Sequence, residues 1–365
     1  MKVLAVIREF PPYTWGGGGK ASEYIINFSS QYGVEFTAIA NQPKLSISKE
    51  SKNNTTIYRV PALGSSFLTR IPSFSLHASI LVSKLQEQFD LIYTTSPLYC
   101  KIKKPLIVHF HGTRYGEYLA CKRLKKPLYA FLNRIYVPFD KVMLKKADGI
   151  IVLSQNMIKE ISALREVKKE IAVIPNGVDT NLFKPLKTRN FNSQEKKVLY
   201  VGRLDLRKGI DILFYAFQKI IKKIKARLII VGEGKEKSRL VSLAKSLSLP
   251  VDFLGKIEHK DLPQVYNQAD LFVLPSLYEG FPLVALEAIA CGVPTIVSDA
   301  VPLEGIPKFS AGNINELRNL LLEVLSSESK LQKLSQTCFK IAQEYSWENV
   351  IFKIVKFFKK FVKDV

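Results

Sequence analysis

The stretch PSLYEGFPLVALEAIACGVPTIVSD, Pro275–Asp299, decides how the rest of the chain is read. It follows Asp270-Leu-Phe-Val-Leu-Pro275, a short apolar run of strand character. Pro282 stands where a first-turn helical proline belongs, since that position needs no N–H donor. Leu283, Leu286 and Ala290 recur at helical spacing, and Gly292 with Pro294 ends the segment. Thr295–Ser298 is the next apolar run. The pattern is strand, tight loop, helix, strand: one βαβ unit. Its polar residues are placed unevenly. Glu279 lies in the loop at the strand's carboxyl end, and Glu287 follows a little over two helical turns later. Open α/β sheets bind ligands outside the carboxyl ends of their strands, where a helix N-terminus offers N–H groups to an anion.

Working outward, the N-terminal half repeats this alternation. Apolar runs at Lys2–Ile7, Glu35–Ala40, Thr56–Val60, Leu91–Tyr93, Pro105–Phe110, Gly149–Leu153 and Ile171–Ile174 predict strands, with helical patterns between several of them, as in Ser73–Phe89. Such alternation implies a parallel sheet covered by helices on both faces. After the first strand, Pro11–Lys20 carries the run Gly16, Gly17, Gly18, Gly19 and leads into a helix expected from about Ala21. Glycine without a Cβ lets backbone approach a ligand, and the following helix start favours a phosphate. A flexible loop reads equally well, because neither GxGxxG nor the P-loop spacing is present. His109 and His111 end the fifth strand, and only one of the two is expected to face a cleft. By spacing alone a structural histidine is the commoner case.

The C-terminal half restarts at Lys197 with KVLYVGRLDLRKG: a strand ends in Gly202, and Arg203 and Lys208 flank the loop before the next helix. Two cations at a strand's carboxyl end suit a diphosphate, Arg as a planar fork and Lys as a point charge. Asn176-Gly177 is a turn signal. The segment from Thr180 to Lys197 is polar, rich in Asn and Lys and without apolar period, and reads as a linker. Expected boundaries are therefore residues 1–179, a linker at 180–197, a second domain at 198–346 and a terminal helix at 347–365.

Composition bounds the function. A chain of 365 residues with 47% hydrophobic content supports two domains of ordinary size. Cys100, Cys121, Cys291 and Cys338 show no CxxC spacing, which fits reduced thiols in the cytoplasm and not a disulfide or zinc framework. Residues Met1–Ile7 read as a buried first strand, not a signal sequence, and no apolar run is long enough to span a bilayer. A net charge of +22 favours an anionic partner: nucleic acid, anionic lipid or a phosphorylated substrate. Residues 101–146 hold twelve Lys and Arg, interleaved with Tyr115, Tyr118, Tyr129, Phe131, Tyr136 and Phe139. The tail carries an apolar stripe of Ile351, Ile354, Val355, Phe358, Phe361 and Val362 among lysines. It suits a membrane interface or a helix packed on its own protein.

EGFPL followed by LEAIACGVP resembles the Glu-x7-Glu segment of retaining glycosyltransferases of the large family 4 (group 1) with the GT-B fold. GRLDLRKG is similar to that family's donor-phosphate loop. The likeness extends more weakly to Gly16–Gly19, His111 and Pro175–Asp179, and fades between Gln42 and Phe89. The resemblance implies an α/β chain of two Rossmann-like doubly wound domains facing a central cleft, the first on the acceptor side and the second binding a nucleotide-diphosphate sugar, with the terminal helix packed back on the first. It implies that Gly17, Gly18 and Gly19 cross the donor diphosphate and that His111 contacts the transferred sugar. Arg203 and Lys208 would stabilise the diphosphate beside Gly202. Glu279 would hold the sugar hydroxyls, with Gly280, Phe281 and Leu283 also at the donor, and Glu287 would hold the ribose. No DxD metal motif stands at a strand end, so no metal and no other cofactor is expected. After Asp299 the family's glycine-rich segment is shortened to Ala300–Lys308. The basic stretch 101–146 suggests a glycan or lipid-linked acceptor and peripheral association with an anionic membrane at its cytoplasmic face. The rival readings are a nucleic-acid-binding protein, for which no recognised motif is present, and a catalytically silent GT-B scaffold, against which Glu279, Arg203 and Lys208 are retained.

Overall fold

The computed structural model describes residues 1–14, 16–53, 55–64, 67–123, 127–186 and 190–362. They form two compact units, Met1–Asn176 with Trp347–Val365, and Gly177–Ser346.

The first unit runs β1 (Lys2–Ile7), α1 (Gly17–Ser29), β2 (Glu35–Gln42), β3 (Ser48–Lys52), β4 (Thr55–Pro61), α2 (Phe67–Leu85), β5 (Leu91–Thr94), β6 (Leu106–Phe110), α3 (Arg114–Arg123), α4 (Pro127–Lys146), β7 (Gly149–Val152), α5 (Gln155–Ser162) and β8 (Glu170–Val173). The sheet order is β3-β4-β2-β1-β5-β6-β7-β8, parallel except for the β3–β4 pair. Val3 through Ile7 are all buried, so both faces of β1 are covered, as a parallel sheet requires. The chain leaves β1 towards β2 and later returns to β5 on its other side. The switch point therefore lies between β1 and β5. Every β3 residue is exposed, so no apolar alternation announced that strand.

The second unit runs β9 (Lys196–Val201), α6 (Ile210–Gln218), β10 (Ala226–Val231), α7 (Lys237–Ser246), β11 (Val251–Gly255), α8 (Leu262–Gln268), β12 (Leu271–Leu274), α9 (Leu283–Ala290), β13 (Thr295–Ser298), β14 (Lys308–Phe309), α10 (Ile314–Leu325) and α11 (Glu328–Glu344). Its sheet is wholly parallel in the order β11-β10-β9-β12-β13-β14, with the switch point between β9 and β12. The shortened segment after Asp299 leaves β14 as a two-residue edge strand.

Three expectations need correction. The glycine run is not a loop before the helix: α1 begins at Gly17, with Gly16 as its extended N-cap. The stretch at 180–197 is not a bare linker either. The unit boundary falls at Asn176–Gly177. Phe183 is buried edge-on to Tyr266, centroids 5.9 Å apart, and Asn267 donates Nδ2–H to the Lys184 carbonyl and accepts from the Leu186 N–H. Residues 187–189 of the stretch lie outside those described. In α2, helix starts ahead of Ser73 and continues through Pro72.

The terminal helix α12 (Trp347–Lys359) belongs to the first unit. Trp347 stacks on Tyr24 at 5.1 Å, and Phe358 meets Tyr93 at 5.6 Å and Phe36 at 6.4 Å. Burying each such aromatic contributes on the order of 2 kcal/mol. Its apolar stripe is spent on the protein's own core. Residues 363–365 of the expected helix lie outside the described chain.

Candidate active site

Polar residues collect at the carboxyl ends of the strands beside each switch point. In the first unit, β1 ends in Arg8-Glu9 and β6 ends in His109-Phe-His111. The helical start of α1 brings its glycines over the histidine: a Cβ on Gly18 would lie 3.8 Å from His111 Cβ. Gly19 has no room for one, since its Cβ would fall 2.6 Å from Thr14 Cγ2 and 3.0 Å from the Glu9 carbonyl oxygen. Gly19 thus lets the α1 start sit against Glu9, while Gly18 lies in ordinary contact with His111.

His109 and His111 stack with ring centroids 4.3 Å apart, so both rings lie on the same side of the strand end, against the expectation that only one would; residues i and i+2 of a strand share a face. His109 Nδ1 bonds to the Tyr93 hydroxyl at 2.6 Å. Neither ring nitrogen of His111 has a hydrogen-bond partner among the described residues. Burial pushes the His111 imidazole down to about 4, with the Glu9 carboxylate opposing. Burial also holds His109 well below the usual range, and neighbouring His111 adds to it. Both rings are neutral at pH 7. Beyond His111, Thr113 caps α3, its Oγ1 accepting from the Gly116 N–H at 2.9 Å while its hydroxyl donates to Glu160. Asp140 on α4 accepts from the Arg114 N–H at 2.7 Å and the Tyr115 N–H at 3.3 Å. Burial raises the Asp140 carboxyl to about 7 against those donors.

In the second unit, the loops after β9 and β12 meet. Lys208 Nζ donates to Glu279 Oε1, and Ser276 Oγ donates to the same oxygen at 2.6 Å. The two charged side chains are only 12% and 9% exposed, so the pair is largely withdrawn from water. The approach depends on Gly209, which takes φ +63 and whose Cβ would lie 2.2 Å from the Pro275 carbonyl oxygen. Arg203 lies half exposed with Nε 2.9 Å from Asp205 Oδ2, while its carbonyl accepts from the Tyr200 hydroxyl. Burial, and then the Glu279 charge, raises the Tyr200 phenol well above its ordinary value, so it stays a donor.

Glu287 is placed apart from Glu279's partners. Buried on α9, it accepts from the Tyr266 hydroxyl at 2.9 Å and lies 3.2 Å from His259 Nε2. Burial and the Glu287 charge keep the Tyr266 hydroxyl protonated. Pro282 is the extended N-cap of α9 and not its first helical residue. Gly280 and Phe281 are buried, the Phe281 ring 5.5 Å from Tyr345, and Leu283 is half-buried at the start of α9.

Sequence reasoning missed the supporting residues: Glu9 beside His111 and paired with Arg8, Tyr93 behind His109, Ser276 on Glu279, and Tyr266 with His259 on Glu287. Arg8 and Glu9 had a usable signal, being a charged pair at the end of a switch-point strand. Ser276 stands only three residues before Glu279, where a loop serine carries no distinguishing signal, and Tyr93, Tyr266 and His259 come from other elements and had none. Among the described residues no three His, Cys, Asp or Glu side chains converge as a metal ligand set, and no helix is long and apolar enough to cross a membrane.

Comparison with known proteins agrees with this architecture. Residues 15–182 match the model of Glycosyltransferase Family 4, and residues 185–337 that of Glycosyl transferases group 1. An uncharacterized glycosyltransferase of Methanocaldococcus jannaschii is 26% identical over 98% of both chains. Among solved structures, sucrose-phosphate synthase from Thermosynechococcus elongatus superposes with a TM-score of 0.80 at 22% identity over 99% of both chains. The HepE protein of Anabaena in complex with UDP-glucose gives 0.73 at 19% identity, over 99% of this chain and all of that one. With two family models that between them span most of its length, and two doubly wound parallel-sheet units, the chain belongs to the group 1, family 4 glycosyltransferases of GT-B fold.

Proposed function

We propose that this glycosyltransferase moves a sugar from a nucleotide-diphosphate donor to an acceptor hydroxyl with retention of anomeric configuration, the acceptor being a glycan or lipid-linked saccharide. The observation that carries the reading is the Lys208–Glu279–Ser276 cluster at the β9/β12 switch point, with Arg203 in the same loop as Lys208. UDP-glucose in the HepE complex supports a nucleotide sugar as the donor class.

In this scheme, cleavage of the glycosidic bond to phosphate leaves negative charge on the diphosphate. Lys208, Arg203 and the backbone N–H groups after Gly280 stabilise that charge as it develops, the logic of an oxyanion hole. Removing one such interaction costs roughly 3 kcal/mol of barrier, or about a hundredfold in rate. With two cations in that role, no metal is required. Glu279 orients the donor sugar through its hydroxyls. One of its oxygens already accepts from both Lys208 and Ser276, an arrangement suited to positioning more than to nucleophilic attack. No other carboxylate is assigned to a covalent intermediate, so departure and attack occur on one face within an ion pair. Gly17, Gly18 and Gly19 at the α1 start receive diphosphate oxygens, and neutral His111 contacts the transferred sugar. Gly202, Gly280, Phe281 and Leu283 shape the donor site, and Glu287, held rigid by Tyr266 and His259, receives the ribose. The protein acts at the cytoplasmic face of a membrane.

Calorimetry with UDP, GDP, ADP and their common sugars, in EDTA, tests the reading. A ligand that binds only the folded state raises its stability by a calculable amount. Micromolar binding of one nucleotide is expected, weakened at least tenfold in Glu287→Ala and in Arg203→Ala. No binding of any of them by the folded chain, or binding only when a divalent metal is restored, overturns the corresponding part of the proposal.

A further inference from the structure

The α3–α4 hairpin carries a surface that the transfer reaction leaves unexplained. Helix α4 is apolar on two sides. Ala130, Tyr136, Val137, Met143 and Leu144 face the core. Leu128, Phe131, Leu132 and Ile135 recur at i, i+3, i+4 and i+7 and face solvent, exposed by 66%, 62%, 37% and 39%. A helix stripe of this width is ordinarily covered. At 100° per residue, exposed Arg134, Lys141 and Lys145 fall together along one flank of the stripe. Lys141 and Lys145 also line, with Val142, Leu164 and Arg165, a hollow of about 290 Å³. Helix α3 adds exposed Leu119 and Lys122. No acid of the two helices is exposed: Glu117 is half-buried against Arg114, and Asp140 is buried under the α3 N-terminus.

We infer that this face of α4 is a docking surface for an anionic lipid bilayer. Lys and Arg along one flank reach phosphate headgroups while the aliphatic and aromatic stripe enters the boundary below them, the arrangement of an interfacial amphipathic helix. Charge complementarity selects this occupant over a second copy of the chain. In an antiparallel two-fold contact of the same face, the flanks that carry Arg134, Lys141 and Lys145 would lie side by side, cation against cation, on a chain of net charge +22. Nucleic acid would use the cations but gives no role to four exposed apolar side chains in register. The inference deepens the acceptor side of the proposed reaction, and its test needs neither donor nor turnover, so either can fail alone.

The test is co-sedimentation of the full chain with vesicles of phosphatidylcholine alone and of phosphatidylcholine with phosphatidylglycerol. Binding is expected only to the anionic vesicles and is expected to weaken with salt. Phe131→Ser with Ile135→Ser should lower partitioning at least tenfold. Lys141→Glu with Lys145→Glu should lower it by more, since each cation near an anionic surface contributes about fivefold. Lys353→Glu with Lys356→Glu, exposed on α12, should change it by far less; all four target residues of the α4 variants are at the surface, and unchanged thermal unfolding checks their folding. Three results overturn the proposal: no binding to anionic vesicles, equal loss from the α4 and α12 charge variants, or a concentration-dependent dimer that Phe131→Ser abolishes.

Discussion

At the carboxyl end of β6, His111 lies against Gly18 with neither ring nitrogen hydrogen-bonded among the described residues, whereas at the carboxyl end of β12 Glu279 is held by two donors at once. The difference follows from charge. A neutral imidazole kept out of water without partners costs about 1–3 kcal/mol, a penalty a fold of this size sustains at a site poised for a ligand. A carboxylate kept out of water without a counter-charge costs several kcal/mol, so the chain must supply Lys208 whether or not substrate is present. In the proposed reaction the second unit's cluster therefore serves structure and donor binding together, while the first unit's histidine serves the sugar alone.

Breaking the charged pair should give the largest effect. Lys208→Ala, or Glu279→Ala, leaves its partner buried without a counter-charge, and should cost about 3–5 kcal/mol in denaturant unfolding besides roughly a hundredfold in sugar transfer. Lys208→Met with Glu279→Gln should recover much of the stability and none of the transfer. A single substitution that costs under about 1 kcal/mol would mean the pair behaves like an exposed one, and the contrast would collapse. His111→Ala should reverse the proportions: transfer lost by about a hundredfold, with a smaller loss of stability than breaking the charged pair, because packing against His109 is removed and no hydrogen bond among the described residues.

A smaller effect sharpens the same comparison. The folded-state value of His111 is depressed to about 4 from an ordinary value near 6.5. As pH falls, the unfolded chain takes up its proton first. The stability this ring contributes is therefore complete above about pH 6.5 and is lost as pH falls towards 4, by a total on the order of 2 kcal/mol after allowance for partial exposure. His109 acts in the same direction. Unfolding free energies between pH 4 and 7 should slope accordingly, and His111→Gln should flatten part of that slope. An unaltered slope would show that His111 is solvated and not buried.

The two basic amphipathic helices show where sequence reading stopped. Periodicity exposed the stripe of α12 but left open whether lipid or protein covers it; the structure places Trp347, Ile351, Ile354 and Phe358 in the first unit's core. In 101–146 the charge was conspicuous and the stripe of α4 was not, because apolar residues on both sides of a helix blur the 3.6-residue period. The same limit governed the start of α1: glycines are poor helix formers, yet three of them begin that helix, and at Gly19 packing against Thr14 and Glu9 excludes a larger residue.

By itself the sequence determined the alternation of strand and helix, the βαβ unit around Glu279, and the strand ends where Gly202, Lys208, His111 and Glu279 would stand. Those are local properties, carried by hydrophobic period and turn residues within a dozen positions. Tertiary structure alone decided which of them meet. Lys208 and Glu279 are 71 residues apart, His109 and Tyr93 16, Glu287 and Tyr266 21. Strand order joins them, and strand order depends on how two sheets bury their faces, which no short window of sequence encodes.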